Sequence, residues 1–389
     1  MYNSYWDNFS AYIYVVQAFV GMLCLKSVGG RTIRVANSSV FDFSSMLLVI
    51  VWTFFATFRL VNWGIGGTDA MNYVDFFVNS WGVFDETMEH TASDFAFLWI
   101  NRCIRFFTAD FHVFFAIVYG FIAYSIISFT KHFTNKDFCF IPLVLAFYLY
   151  LRGYNTLRSN LSIAFILLGM VNVSEEKYKL AYFYMLCSAL THKAGVMFAM
   201  VIPYLHFAIK RSVKIKYLVL ASCLMFVIAS SVREYFIAYA SLYDLGGAYK
   251  SYAVSAGESD GFLNGFVECF MQYVLVVVVL LSTKKIRKVA VMQGQSFANV
   301  VNMLLYICYF DMMLIPLNVA LGIWRGYEFL YIPRLCMWGC VIFVFTRNLR
   351  KISRLCVYSL VLLYFITWFV FRLNRTYEAS DLMPYVLNL

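Results

Sequence analysis

The chain has 389 residues, of which 62% are hydrophobic and only 13% are charged, and its mean hydropathy is +0.72. Soluble domains contain about 45–50% apolar and about 25% charged residues, so this composition excludes a soluble globular protein. The net charge of +10 does not indicate a nucleic-acid partner, because the cations form short clusters between apolar runs, as in membrane proteins.

Apolar runs of membrane-spanning length alternate with short polar connections along the whole chain. A spanning helix needs about 20 mostly apolar residues. The runs lie near residues 9–25, 43–60, 110–130, 138–151, 159–173, 178–191, 194–209, 215–232, 263–282, 296–317, 327–346 and 355–371. They predict an all-α, polytopic integral membrane protein with about 11–13 transmembrane helices. Because no linker-like tract interrupts them, we interpret residues 1–389 as a single multi-pass membrane domain.

Two stretches leave the number of spans open. Residues 94–107 look membrane-seeking but contain Arg102 and Arg105, so we expect an outer-surface or re-entrant helix there. The apolar runs on either side of His192 are compatible with one long helix or with two half-spans.

The distribution of charge predicts the topology. Alternate connections, with the residues that flank them, hold 19 of the 31 Lys and Arg residues, and these sides are assigned to the cytoplasm by the positive-inside rule. The opposite side receives the long connections, at about 61–109 and 233–262. Long loops on one face of a scaffold often carry function, so the active site is expected to face outward.

The densest polar cluster is "LRGYNTLRSN" at 151–160. Arg152, Asn155 and Arg158 are three residues apart, so a helical stretch would place them on one face. Guanidinium groups bind phosphate through bidentate, charge-assisted hydrogen bonds, which favours a diphosphate site. The structural alternative is that both arginines anchor to lipid headgroups by snorkelling.

Two further clusters contain candidate residues. His192 and Lys193, in "SALTHKAGV", could supply a general base and a phosphate contact, although a lone histidine in a membrane protein is often structural. Arg325 and Arg334, in "GIWRGYEFLYIPRL", are further candidates for the diphosphate. The alternative for Arg334 is a structural ion pair with Asp311 or Glu328.

The first outer loop carries "GGTDAMNYVDFF" at 66–77, where Asp69 and Tyr73 are candidates for binding sugar. The sequence has no DxD, Walker, GxSxG or HExxH motif, and its five histidines are scattered. We therefore predict no metal, no nucleotide and no other cofactor.

Five stretches, in order, resemble the EpsG/Wzy-type bacterial polysaccharide polymerases. They are "GTDAMNY" at 67–73, "DFAFLWINRCIRFF" at 94–107, "HVFFAIVYGFIAYSIISF" at 112–129, "NTLRSNLSIAFILLGM" at 155–170 and "LTHKAGV" at 190–196. Arg158 and His192 stand where the family has its Arg and His. The sequence departs from the family at Ser159, which replaces a Gln, at Asp94, which occupies the place of a Glu, and at Ala194-Gly195, which replaces a Ser.

The resemblance implies a GT-C-like polymerase architecture in the bacterial inner membrane, with the active site facing the periplasm. Such enzymes join undecaprenyl-diphosphate-linked oligosaccharide repeat units into O-antigen, capsule or exopolysaccharide chains. Their expected partners are membrane lipid and a chain-length regulator and flippase of the same pathway. An O-antigen ligase or another lipid-linked-sugar glycosyltransferase is the alternative function, and a flippase or transporter is a weaker third.

Overall fold

The computed structural model describes residues 13–17, 43–63, 65–82, 94–134, 140–211, 217, 220–225, 227–228, 259–321, 326 and 328–375. Its longer helices are labelled in chain order: α1 Phe43–Thr57, α2 Ala70–Val78, α3 Phe95–Phe107, α4 Phe111–Phe133, α5 Phe140–Arg152, α6 Leu157–Ser174, α7 Tyr178–Thr191, α8 Gly195–Ala199, α9 Val201–Arg211, α10 Ser259–Met292, α11 Gln295–Leu321, α12 Tyr331–Thr346 and α13 Lys351–Arg375. The described part of the chain contains no β-strand beyond one isolated bridge. The prediction of an all-α, polytopic membrane protein is confirmed.

In the part of the chain that the structure describes, three stretches are both long and apolar enough to cross a bilayer. They are α4, α6 and the segment Phe297–Ile315 within α11, with shorter apolar helices at Ser45–Thr57, Gly195–Ile209 and Tyr331–Thr346. A helix buried in lipid satisfies its own backbone hydrogen bonds, which is why apolar runs of this length form helices rather than loops. The total of about 11–13 spans remains a prediction, and the runs near 9–25 and 215–232 lie mostly outside the described residues.

The helix boundaries resolve two features that the sequence left open. Residues 95–107 form α3, a helix separated from α4 by the extended residue Thr108. Its side chains Phe95, Phe106 and Phe107 are exposed, as expected of an amphipathic helix at a membrane surface. At His192 the backbone is extended, with φ −155° and ψ 133°, so the chain forms two helices there and not one long helix.

The described chain forms two compact units: residues 1–199 with 345–389, and residues 200–344. In the first unit α4 packs against α1 and α6, and α6 packs against α7 and α8. Small side chains permit these close approaches, since a Cβ on Gly120 of α4 would lie 3.4 Å from the Thr53 hydroxyl of α1. Most of α6 is buried, which gives the residues at its first turn a rigid support.

In the second unit α10 and α11 form an antiparallel pair. They are joined through Gly294, whose φ of +117° is a backbone conformation that favours glycine. Helix α9 packs against α11, where the rings of Tyr204 and Phe310 have centroids 5.1 Å apart.

Replacing Gly195 with Ala is expected to destabilise the first unit. A Cβ at Gly195 would lie 2.6 Å from the Ser188 carbonyl oxygen and would collide with the Ser162 hydroxyl, at the crossing of α6, α7 and α8. Overpacking of this kind typically costs about 1–3 kcal/mol. A thermal unfolding assay of the detergent-solubilised protein should show a lower midpoint for Gly195→Ala. An unchanged midpoint would contradict this packing.

Candidate active site

One carboxylate contacts two basic side chains from separate helices. The Asp94 carboxylate accepts a hydrogen bond of 2.7 Å from Nη1 of Arg158, and Nδ1 of His192 lies 3.6 Å from the same oxygen. The Asp94 side chain is only 4% exposed, whereas that of Arg158 is 18% exposed and that of His192 is 26% exposed. The two basic groups are therefore reachable from outside the protein, and the acid that joins them is buried.

Each of the three residues stands at a helix end. Asp94 directly precedes α3, Arg158 is the second residue of α6, and His192 directly follows α7. Helices α6 and α7 pack along their length, and α3 packs against α7. Three helix ends thus meet at one point of the first unit, and the polar side chains found at such ends define the site.

Tyr73, from α2, is the fourth member of the site. Its ring is buried, and its hydroxyl lies near the positive charge of the Arg158 guanidinium. Burial raises the pKa of the Tyr73 hydroxyl to about 12, an effect that the nearby Arg158 charge only partly offsets. The hydroxyl is consequently protonated at neutral pH, and it lies 3.4 Å from the Asn155 carbonyl oxygen, to which it donates.

Two turns pack against each other beneath these side chains. The backbone N–H of Asp69 donates to the Asn155 side-chain oxygen at 3.2 Å. Gly67 lies so close to the second turn that an added Cβ would be 2.9 Å from both the Tyr154 carbonyl oxygen and the Asn155 side-chain oxygen. The "GTD" turn, defined as residues 66–69, is therefore held directly against the turn at 153–156 that leads into Arg158.

Gly67→Ala should reduce activity because it separates these turns. Gly67 has a φ of +120°, which L-residues rarely adopt, and the new methyl group would also contact the 153–156 turn. Backbone strain of this kind costs roughly 1–3 kcal/mol. The activity of the folded protein should fall, whereas Gly294→Ala, at a positive-φ glycine with open space around it, provides the matched control. Equal activities of the two variants would contradict the proposed contact.

The structure brings together Arg158, His192, Tyr73, Asn155 and Asp69 among the residues predicted from sequence. The prediction that a helical stretch places Arg152, Asn155 and Arg158 on one face is wrong, because α5 ends at Arg152 and the chain turns before α6 begins. Backbone hydrogen bonds within this turn, such as that from the Asn155 N–H to the Arg152 carbonyl oxygen, fix the break between the two helices.

The other predicted cations are placed differently. Nη1 of Arg152 lies 3.5 Å from the Tyr148 hydroxyl, one turn back on its own helix, and Lys193 is exposed. In the second unit Nε of Arg334 lies 2.8 Å from the Asp311 carboxylate, which favours the structural ion pair over a diphosphate contact. Arg325 lies outside the described residues.

Asp94 and Arg59 are the two residues that sequence reasoning did not select for the site. Asp94 was noted only because it occupies the place of a family Glu, yet its position directly before an amphipathic helix was an available signal. Arg59 is 1% exposed and contacts the turn that contains Gly66. In sequence it resembles any cation at the end of a span.

The arrangement can bind an anion and move a proton. A guanidinium has five N–H donors, and those of Arg158 not directed at Asp94 can reach phosphate oxygens. With its Nδ1 facing the Asp94 carboxylate, the His192 ring presents Nε2 as the proton acceptor, and the carboxylate stabilises the imidazolium that forms. Among the described residues, no group of three or more His, Cys, Asp or Glu side chains could hold a metal ion.

These features define a polytopic α-helical membrane protein in which acidic and basic side chains meet at the ends of its helices. The chain belongs to the EpsG family, whose family model matches residues 43–387. Membership supports a polysaccharide polymerase-type function in general and a location within a membrane. No curated protein and no solved structure matches the chain.

Proposed function

We propose that this protein is a glycosyltransferase that polymerises oligosaccharide repeat units carried on undecaprenyl diphosphate. The growing chain on its lipid diphosphate is the donor, and a single lipid-linked repeat unit is the acceptor. The product is an O-antigen, capsule or exopolysaccharide chain. The site faces the periplasm, across the bacterial inner membrane, in the orientation that the basic cytoplasmic connections favour.

In the reaction, a hydroxyl of the acceptor sugar attacks the anomeric carbon of the donor's first sugar. The proton of that hydroxyl passes to Nε2 of His192, and the new C–O bond forms as the bond to the diphosphate oxygen breaks. The electron pair of the broken bond stays on the leaving diphosphate. Proton transfer to a positioned base typically contributes about 10²–10⁴-fold in rate.

Arg158 stabilises the leaving group. Negative charge grows on the diphosphate in the transition state, and a guanidinium held in place before the reaction stabilises that charge without reorganisation. Asp94 fixes the guanidinium through one N–H, and the buried Tyr73 hydroxyl lies near it. Asp69, half-buried on the "GTD" turn, is positioned to bind sugar hydroxyls, and Lys193 provides a further exposed cation.

The observation that carries this proposal is the shared Asp94 carboxylate. Arg158 and His192 come from two motifs separated by an entire helical hairpin, yet both lie within 4 Å of one buried acid. An Arg158 side chain that merely anchored to a lipid headgroup would have no reason to share a buried carboxylate with a histidine. The donor is already activated by its diphosphate, so the proposed reaction needs neither nucleotide nor metal.

The test is elongation by the purified full-length protein in detergent or nanodiscs. Synthetic repeat units on polyprenyl diphosphate are supplied alone, and products are separated by length. The proposal predicts a ladder spaced by one repeat unit together with release of polyprenyl diphosphate. Transfer of glycan only to added lipid A core would identify a ligase instead. Movement of the lipid-linked unit across a bilayer, with no new bond formed by the wild-type protein, would identify a flippase.

A further inference from the structure

A buried cation lies beneath the two turns of the site. Arg59 follows α1 and is 1% exposed. Its Nε donates to the Gly66 carbonyl oxygen at 2.9 Å, its Nη1 donates to the Ala56 carbonyl oxygen, and its Nη2 donates to the Tyr119 hydroxyl at 2.9 Å. Three donors of one rigid group thus hold α1, the "GTD" turn and α4 together.

Three aromatic rings enclose the same guanidinium. Its central carbon lies 4.2 Å from the centroid of Tyr154 and 5.0 Å from the centroids of Phe115 and Tyr119. A desolvated cation–π contact can contribute about 2 kcal/mol, so the rings help to keep the charge buried. Among the described residues no carboxylate pairs with Arg59, and carbonyl oxygens, a hydroxyl and ring faces replace the usual counter-ion.

The contacts of Arg59 lead to both sides of the site. Gly66 belongs to the turn that carries Asp69, and Tyr154 belongs to the turn that leads into Arg158. Tyr119 adds a second link, because its hydroxyl also lies 3.4 Å from the Gly153 carbonyl oxygen. The guanidinium therefore sets the distance between two turns whose side chains must meet the same substrate.

Burying this charge is expensive for the fold. An aliphatic side chain could fill the same space among aromatic rings without the desolvation cost of an ion. An aliphatic side chain could not, however, bind a carbonyl of one turn and stack on a ring of the other. Arg can do both, because its planar guanidinium has N–H donors in fixed directions and a flat face that stacks on aromatic rings.

We infer that Arg59 is a positioning residue for glycan transfer, which fixes the "GTD" turn against the 153–156 turn so that Arg158 and Tyr73 are correctly placed. It does not touch substrate. This inference rests on the proposed function. A misplacement of about 1 Å in a catalytic group can reduce the rate roughly 10²-fold, so the effect of loosening Arg59 should appear in turnover.

Arg59→Lys is the discriminating variant, because Lys keeps the charge and the length but loses the directed fork. Tyr119→Phe removes one link and keeps the ring. Phe129→Leu is the control: Phe129 is fully buried on the same helix, ten residues and about 15 Å beyond Tyr119, away from both turns. All three are made in the full-length chain, and elongation rates are expressed per folded molecule.

For Arg59→Lys we expect the turnover rate to fall about 10- to 100-fold with the KM for the lipid-linked donor nearly unchanged. Tyr119→Phe should act in the same direction and less strongly. Phe129→Leu should lower the thermal unfolding midpoint and leave turnover per folded molecule at the wild-type value. Wild-type turnover in Arg59→Lys, or an equal loss in Phe129→Leu, would overturn the inference.

Hydrogen–deuterium exchange gives a readout that does not depend on activity. The backbone N–H of Asp69 is held by the Asn155 side chain, so peptides covering 66–73 and 153–160 should exchange faster in Arg59→Lys than in Phe129→Leu. Unchanged exchange in both peptides would overturn the positioning role. If the wild-type protein elongates no glycan, the proposed function fails, whereas faster exchange would still show that Arg59 joins the two turns.

Discussion

Arg158→Ala should abolish glycan elongation while the protein remains folded in the membrane. The variant removes the donor that Asp94 holds in place, and with it the group proposed to stabilise charge on the leaving diphosphate. Removing one preorganised donor of this kind typically costs about 10²–10³-fold in rate. A strain that carries only this variant should accumulate single-repeat glycans in place of the ladder.

Arg158→Lys distinguishes the effect of the positive charge at this position from the effect of the guanidinium geometry. Lys keeps the positive charge but cannot donate in two directions at fixed angles, so we expect only partial recovery of elongation. The matched control is Lys177→Ala, which removes an exposed cation paired with Glu175 at 2.7 Å, beyond the other end of α6. Exposed pairs contribute about 0–1 kcal/mol, and this variant should form normal ladders. Normal chain length in Arg158→Ala would remove Arg158 from the site.

Asp94→Asn should reduce elongation by a similar factor for a different reason. The amide is nearly the same size as the carboxylate, so the packing at the start of α3 is preserved. It cannot accept the charged hydrogen bond of Arg158 as strongly, and it cannot stabilise a protonated His192. We expect about a 10²-fold loss of turnover or more, since both the phosphate contact and the proton acceptor are affected.

Asp94→Glu provides the conservative comparison at this position. It restores the negative charge at the cost of one extra methylene in a site where the side chain is 4% exposed. If the turnover rate of Asp94→Glu is higher than that of Asp94→Asn, the loss in Asp94→Asn results from the missing negative charge. If Asp94→Asn were as active as the wild type, the Asp94 carboxylate would have no part in positioning Arg158 or in proton transfer to His192.

Helix positions could be predicted from the sequence because the bilayer imposes them. Nearly every long apolar run in the described part of the chain became a helix within a few residues of its predicted bounds, since lipid leaves the backbone no other partner. Helix α10 is the exception, because it continues to Met292, well past the predicted end at residue 282. The break at His192 could not be decided from composition. Both neighbours are apolar, and the extended conformation at that residue depends on the packing of Gly195 against Ser188 and Ser162.

The site was predicted in part. Arg158 and His192 were identified because ionised and titratable groups next to apolar segments are costly unless they have a use. Asp94 was not selected because its role depends on the ion pair with Arg158. The two residues are 64 positions apart in sequence, so no local sequence pattern reveals the pair. Arg59 was missed for the same reason, since a buried guanidinium and a snorkelling one have identical sequence contexts.

Arg334 is the opposite case. Its place inside an apolar helix suggested a phosphate contact, but the Asp311 carboxylate 2.8 Å away accounts for the charge. A buried ion pair joining α11 to α12 is sufficient reason for both residues to be there. The sequence was compatible with either an ion pair or a phosphate contact for Arg334. Only the distance between the two side chains distinguishes these interpretations.

The most direct test of the shared Asp94–Arg158 site is a double-mutant cycle on the turnover rate with Asp94→Asn and Arg158→Lys. If one carboxylate holds the guanidinium in its working position, the second substitution has little left to remove, so the double variant should be about as slow as the slower single variant. Losses that multiply, giving a double variant slower by the product of the two single effects, would mean that Asp94 and Arg158 act separately and would contradict the shared site.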